Sequence, residues 1–273
     1  MTDKKLTKNT ITILGSGTST GVPIIRCQCV VCQSLDPRDK RLRTSIYLET
    51  KAGNKILVDT GPDLRQQVLQ NNICEIDFTI ITHEHADHLH GLDDLRPFSF
   101  TLPPRSMPVY CSKETLESIK TRFSYVFPKE NKTTGGGIPR LHFFETAMNR
   151  STLINGEEFY FFENFHGHNM KTLAFIHEKF AYIIDCVEIS ESVLEELAAR
   201  QLDFLLIDCL QRKPQGTHLF VERTFEYIKK IKAKKTGLIH ISHDLSHKYL
   251  ERIASEQFGP EVFPVYDGLK ISY

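Results

Sequence analysis

Short apolar runs, each closed by a polar or charged residue, recur along the chain. Ile11-Thr12-Ile13-Leu14, Ile56-Leu57-Val58, Phe78-Thr79-Ile80-Ile81-Thr82, Glu158-Phe159-Tyr160-Phe161-Phe162, Phe180-Ala181-Tyr182-Ile183-Ile184 and Gly237-Leu238-Ile239 are three to five residues long. They are too short for helices and rich in β-branched or aromatic side chains, which reads as interior strands. Between them, apolar residues at helical spacing predict a helix through Leu89, Leu92 and Leu95, a second from Lys113 to Phe127 and a third starting near Leu219. Lys229-Lys230, Lys232 and Lys234-Lys235 interleave with Ile228 and Ile231, which places them on the solvated face of a packed helix. Strands alternating with helices make this an α/β chain.

The third of these runs, Phe78 to Thr82, is followed at once by chemistry: His83-Glu84-His85-Ala86-Asp87-His88 comes next. If the extended backbone persists briefly, His83 and His85 project from the same face and both imidazoles converge on one ion. Asp87 and His88 then fall on the turn into the next helix, where they face a second ion. Imidazole and carboxylate together suit zinc, manganese or iron and leave coordination positions open for water and substrate. A histidine-rich surface turn is the bland alternative. Three histidines and an aspartate within six positions after an apolar strand point instead to a hydrolytic metal site.

Cys27, Cys29 and Cys32 place three thiols within six positions, enough for one tetrahedral zinc with a further ligand from elsewhere. Free thiols kept reduced, or a redox switch, are the competing readings. Gly15-Ser16-Gly17-Thr18-Ser19-Thr20-Gly21 follows a strand, but its third glycine is one position late for a dinucleotide fingerprint and no Lys-Ser/Thr follows for a P-loop. A strand-to-loop turn is its meaning.

His-x-His-x-Asp-His resembles the signature of the metallo-β-lactamase superfamily, which implies an αββα sandwich with a one- or two-metal site at the rim of its two sheets. By that resemblance His83, His85 and His166 hold one metal, Asp87, His88 and His240 the other, and Asp185 bridges them. His166, Asp185 and His240 each follow a short apolar strand, as the resemblance requires; His168 competes with His166. Asp59, at the end of Ile56-Leu57-Val58, is expected to orient a ligand histidine rather than touch metal. Six further stretches are similar to the branch containing phosphoribosyl 1,2-cyclic phosphate phosphodiesterase: Gly15 to Pro23 with the cysteine cluster, Asp36-Pro37-Arg38-Asp39, Arg43-Thr44-Ser45, Gly91-Leu92-Asp93-Asp94-Leu95-Arg96-Pro97-Phe98, His240-Ile241-Ser242-His243 and Tyr266-Asp267-Gly268. This similarity runs from about residue 11 to the C-terminus. It implies that His243 completes a structural zinc site with Cys27, Cys29 and Cys32, and that His218, in the loop before a helix, is the general acid. A helix-capping or neutral loop histidine is the alternative for His218.

Composition limits the rest. A chain of 273 residues with 40% hydrophobic side chains suits one large α/β domain, taken here as residues 1–273. Lysine plus arginine equals aspartate plus glutamate at 34 each, so no global field collects nucleic acid or an anionic membrane. A small substrate fits better. Seven cysteines, three of them committed to a zinc site, argue against a disulfide framework. Residues 1–10 have no apolar stretch of signal-peptide length and no run is long enough to span a bilayer, so a cytoplasmic protein is expected. Lys129 to Gly137 reads as a lid, a homodimer contact or simply a long loop.

The expectation is therefore a metal-dependent phosphodiesterase with two catalytic divalent metals, manganese or zinc, and one structural zinc. Two metals ~3.5–4 Å apart would lower the pKa of a shared water, whose hydroxide attacks phosphorus in line with the departing oxygen. Asp87 would serve that chemistry as well as the metal, and His218 would protonate the leaving oxygen. The same ligand set also serves tRNA 3′-end processing and thioester or lactone hydrolysis. A sensor that keeps metals without turnover is the non-enzymatic rival.

Overall fold

The computed structural model describes residues 7–100, 105–127, 137–167 and 170–273. One sheet is built from β1 (Thr10–Gly15), β2 (Ser45–Glu49), β3 (Lys55–Val58), β4 (Phe78–Ile80), β5 (Met107–Cys111), β6 (Leu141–Glu145) and β14 (Lys270–Ser272). The other contains β7 (Arg150–Ile154), β8 (Glu157–His166), β9 (Met170–His177), β10 (Phe180–Ile183), β11 (Phe204–Asp208), β12 (Lys235–Ile239) and β13 (Val262–Pro264). Their orders are β14-β1-β2-β3-β4-β5-β6 and β13-β12-β11-β10-β9-β8-β7.

The inner faces pack Ile11, Ile13, Ile46, Ile56 and Ile80 of the first sheet against Phe159, Phe161, Phe175, Phe180 and Tyr182 of the second. Each fully buried aromatic contributes about 1.5–3 kcal/mol by leaving water. The first sheet's outer face is covered by α1 (Leu64–Gln70), α2 (Ala86–Leu89), α3 (Arg96–Ser99) and α4 (Lys113–Arg122), through Leu57, Leu64, Ile81, Leu92 and Ile119. The second is covered by α5 (Glu191–Ala199), α6 (Val221–Ile231) and α7 (His247–Phe258), through Leu194, Phe225 and Leu250. Layers therefore run helix, sheet, sheet, helix, which is the expected αββα sandwich. No helix among the described residues is long and apolar enough to cross a membrane.

The two sheets repeat one pattern that the sequence conceals. In the first, three antiparallel pairings (β14 with β1, β1 with β2, β2 with β3) lead to three parallel ones (β3 with β4, β4 with β5, β5 with β6). In the second, β7 to β10 are antiparallel and β10 to β13 parallel. The equivalent strands β3 and β10 both run into an aspartate in the left-handed region, Asp59 at φ 66° and Asp185 at φ 48°. A hydroxyl from the neighbouring antiparallel strand caps each end. Ser45 Oγ donates to the carbonyls of Val58 and Asp59 at 2.8 and 3.1 Å, and Thr172 Oγ1 to those of Ile184 and Asp185 at 3.3 and 3.1 Å. Parallel strands bring their carboxyl ends to one edge, where loops carry ligand-binding residues.

Several local expectations shift. The helix read through Leu89 to Leu95 is the one-turn α2 followed by a 3₁₀ turn at Leu92–Leu95, because Gly91 between them packs against the Asp59–Gly61 turn. The helix from Lys113 is capped by Ser112 Oγ on the Thr115 N–H and ends at Arg122, with a separate 3₁₀ turn at Ser124–Val126. The lysine run is not one helical face: α6 stops at Ile231, Lys232 adopts a left-handed cap at φ 56°, and Lys235 opens β12. The third helix begins at Val221 rather than Leu219, since Gln211 pairs with Phe220 across the intervening loop. Lys129 to Gly137, apart from Gly137, lies outside the described residues, as does His168.

Candidate active site

Asp59 organises the first half of the site. Its Oδ1 accepts from the Thr82 N–H at 2.8 Å, its Oδ2 from Thr82 Oγ1 at 2.9 Å, and Oδ2 also lies 2.8 Å from His88 Nδ1. Thr82 Oγ1 in turn sits 3.0 Å from His83 Nδ1. One hydroxyl has one proton, so Thr82 donates to the carboxylate and accepts from His83. Both imidazoles therefore keep a proton on Nδ1 and turn Nε2 towards the interior of the site. The α2 turn that bears Asp87 and His88 is pinned to the same aspartate's loop: Thr60 N–H donates to His88 O at 2.7 Å and Gly91 N–H to Thr60 O at 2.7 Å. Backbones approach so closely here that a Cβ at Gly61 would stand 2.1 Å from Asp87 O, and one at Gly91 2.1 Å from Gly61 O.

The second half comes from the opposite sheet. His166 ends β8, and its Nδ1 donates to the Thr217 carbonyl at 2.8 Å while Nε2 lies 3.3 Å from His85 Nδ1. Asp185 Oδ2 stands 2.8 Å from His88 Nε2, and its Oδ1 stands 3.3 Å from His240 Nε2 and 3.2 Å from His218 Nδ1. Asp87 Oδ2 is 3.0 Å from His88 Nε2 and 3.9 Å from His240 Nε2. His240 follows β12 in a left-handed backbone, φ 61°, an uncommon conformation for histidine that surrounding contacts must hold. Its ring stacks on His218, centroids 4.9 Å apart, and His218 meets His166 edge-on at 4.7 Å.

These donors lie close without bonding one another. His83 Nε2, His88 Nε2, Asp185 Oδ2 and both His240 ring nitrogens are buried and have no aligned hydrogen-bond partner. Buried polar atoms without partners are rare unless something else satisfies them, and groups aimed at a common third point behave in this way. Donor atoms of His83, His85 and His166 fall within 4.8 Å of one another, as do those of Asp87, His88 and His240 and those of His83, His88 and Asp185. The residues present thus fit a pair of divalent cations. Electrostatics agree. Burial holds His83 well below the usual histidine range. Burial also opposes charge on His88 and His240, yet the surrounding carboxylates outweigh it, lifting His88 well above its ordinary value and His240 to about 10. Asp185 shows the converse: against burial, His240 and His88 keep its carboxyl ionised well below the usual range. A cluster that holds protons this firmly in the absence of cations has an excess of negative charge.

The cysteines form a separate set. His243 Nδ1 stands 3.3, 3.4 and 3.7 Å from the Sγ atoms of Cys27, Cys29 and Cys32. Zinc–sulfur and zinc–nitrogen bonds at a tetrahedral centre place sulfur and nitrogen about 3.5 Å apart, so the spacing fits zinc. Burial raises the thiol of Cys29, but hydrogen bonds from Cys32, Cys27 and His243 outweigh it and bring it down to about 6, while burial pushes Cys32 up to about 11.

Asp208 is the site residue that the sequence reading missed. It is buried at the end of β11, Oδ2 3.2 Å from His218 Nδ1 and Oδ1 3.6 Å from His240 Nδ1. Its signal was present: Phe204-Leu205-Leu206-Ile207 is one more short apolar run closed by an aspartate. The Thr217 carbonyl and the Thr82 hydroxyl gave none, since neither residue type is distinctive.

A family model described as a beta-lactamase superfamily domain matches residues 54–241. An octanoyltransferase of Porphyromonas gingivalis is 36% identical over 259 residues, covering 94% of this chain and 50% of that protein. A ribonuclease Z of Pyrobaculum aerophilum is 33% identical over 76 residues, 27% of this chain and 26% of the relative. The chain thus spans half the length of the first of these relatives and about a quarter of the second. Among solved structures, a diphosphatase from the PhnP family superposes with a TM-score of 0.87 at 35% identity, covering 97% of both chains. Zinc-bound PqqB of Methylobacterium extorquens superposes with a TM-score of 0.77 at 18% identity over 97% of this chain and all of that one.

Proposed function

Because the chain belongs to the beta-lactamase superfamily and has its metallo-β-lactamase hydrolase fold, we propose that it is a metal-dependent phosphodiesterase acting on a small phosphate diester. The observation that carries this reading is the convergence of unpartnered donor atoms beside His218. His83, His85 and His166 would hold one cation, Asp87, His88 and His240 the other, and Asp185 would serve both. Cys27, Cys29, Cys32 and His243 would hold zinc. Bound cations supply Lewis acidity, which makes water acidic and offsets charge on the phosphate.

The protein's own groups do the rest. His218 Nδ1 is held between Asp185 and Asp208, so Nε2 is the nitrogen left to face a leaving group. A proton there is delivered to the departing oxygen. Asp59 and the Thr217 carbonyl fix the tautomers that aim His88 and His166 inward. Both sheets contribute to one centre, which supports reading residues 1–273 as a single hydrolase domain. The balanced charge favours a small diester over a polynucleotide, and the diphosphatase matched over 97% of both chains favours phosphorus chemistry.

One observation favours acyl chemistry instead: the octanoyltransferase is similar across 94% of this chain. Half of that protein has no counterpart here, however, so its activity need not lie in the shared half. A panel of phosphodiesters, cyclic nucleotides, thioesters and lactones, offered to metal-reconstituted protein, separates the readings. Turnover of diesters with inert thioesters is expected. Thioester cleavage with inert diesters overturns the proposal.

A further inference from the structure

Among the described residues Arg41 is the largest fully buried side chain, and it lies between the cysteine loop and β2. Its guanidinium fork spans two carbonyls of one segment: Nη1 donates to Ser242 O at 2.9 Å and Nη2 to Leu245 O at 2.9 Å. Nη2 also meets Asp39 Oδ1 at 2.9 Å, and that oxygen accepts the His247 N–H at the start of α7 at 2.7 Å. On the other side, Arg41 and Val22 exchange two backbone bonds, Arg41 N–H to Val22 O at 2.7 Å and Val22 N–H to Arg41 O at 2.8 Å. Val22 packs with Val31 and Cys32 in the small core beneath the cysteine cluster.

Ser242, the first residue so gripped, stands between one residue of each donor set. His240 belongs to the histidine–carboxylate centre and His243 to the cysteine cluster, three positions later. His240 needs an external hold because of its left-handed backbone. Burying a guanidinium is a poor way merely to fill space. Burial lowers Arg41 to about 10, which still leaves it charged at neutral pH. What its planar fork adds is direction, fixing two acceptors in one rigid plane, which the freely rotating ammonium of a lysine does not.

We infer that Arg41 is a positioning residue that couples the two metal centres, so that zinc held by Cys27, Cys29, Cys32 and His243 fixes the placement of His240 for the cation shared with Asp87 and His88. This rests on the metal assignments proposed above. The coupling is reciprocal, as any linkage between binding sites is.

Cobalt(II) titrated into metal-free full-length protein distinguishes the centres, since thiolate-to-cobalt charge transfer reports the cysteine site and weaker d–d bands the other. In Arg41→Lys, one histidine–carboxylate equivalent should bind roughly 10–100-fold more weakly, the range for loss of an orienting partner, and the cysteine site should lose the same factor when that equivalent is filled, with the other histidine–carboxylate equivalent unchanged. A purely structural role would weaken all three together. Should that variant fail to fold, wild-type protein decides: preloading the cysteine site with zinc should tighten one histidine–carboxylate equivalent at least tenfold. Three equivalents of wild-type affinity in Arg41→Lys, or affinity indifferent to preloading, overturn the coupling alone. No cobalt in the histidine–carboxylate centre of the wild type overturns the functional reading and the coupling with it.

Discussion

Asp59→Asn removes no donor from the proposed metal ligands, and for that reason it tests how they are aimed. Three protons point at the Asp59 carboxylate: the Thr82 N–H at 2.8 Å, the Thr82 hydroxyl at 2.9 Å and His88 Nδ1–H at 2.8 Å. A carboxylate accepts all three, whereas an amide offers one oxygen and two N–H groups. If the amide oxygen keeps Thr82, its nitrogen faces His88 and forces the proton from Nδ1 to Nε2, the atom 2.8 Å from Asp185 and 3.0 Å from Asp87. If the oxygen keeps His88, two donors meet at Thr82 in a fully buried place. Either way His88 is misdirected or a buried donor is stranded. Losing such an orienting partner lowers metal affinity roughly 10–100-fold, about 1.4–2.7 kcal/mol. Competition against a chromophoric chelator measures it. Wild-type affinity for both histidine–carboxylate equivalents in Asp59→Asn would refute the tautomer argument.

The remaining predictions concern protons, stability and the leaving group. Without metal, His88 lies well above its ordinary value and His240 at about 10, so cations must displace protons and affinity should rise as pH goes from 6.5 towards 10, up to about tenfold per unit for each proton released. The same raised values mean that the metal-free fold has this stabilisation fully below pH 6.5 and loses it as pH climbs through about 10; melting curves of metal-free and loaded protein should diverge over that window. Cys29→Ser should lower the melting temperature, because structural zinc binding worth an apparent ~10–16 kcal/mol in small domains is partly folding free energy, whereas Asp185→Asn should abolish turnover with the melt nearly in place; the opposite pairing would move the cysteines into the active site. His218→Ala should slow turnover by about 10²–10⁴-fold with metal content unchanged, and the loss should shrink for nitrophenolate leaving groups that need no proton; a uniform loss would make His218 a phosphate-positioning residue.

Much of this was legible because the fold places its chemistry at strand ends. Short apolar runs mark β3, β4, β10 and β12, and the polar residue that closes each run faces the site: Asp59, His83, Asp185, His240. Asp208 obeys the same rule at the end of β11, but an apolar run closed by one aspartate marks a strand end without marking a site residue. Helix boundaries were less legible where tertiary contacts override spacing, as at Gly91, where backbone packing against Gly61 breaks the Leu89 to Leu95 pattern. The repeat between the two sheets left only the apolar runs closed by Asp59 and Asp185 in the sequence, because otherwise the halves share strand direction and hydrogen-bond geometry: Ser45 does for Asp59 what Thr172 does for Asp185. Arg41 was invisible for a related reason. Its partners lie about two hundred positions away, at Ser242 and Leu245, and nothing local distinguishes it from Arg38 or Arg43.

The most direct measurement restores metal stepwise to chelator-stripped protein while following both elemental content and hydrolysis of a small phosphodiester. Mild chelation should leave the cysteine-bound zinc in place and abolish turnover, which should return as two further equivalents per chain fill the histidine–carboxylate centre. Full activity in protein containing no metal would contradict the account.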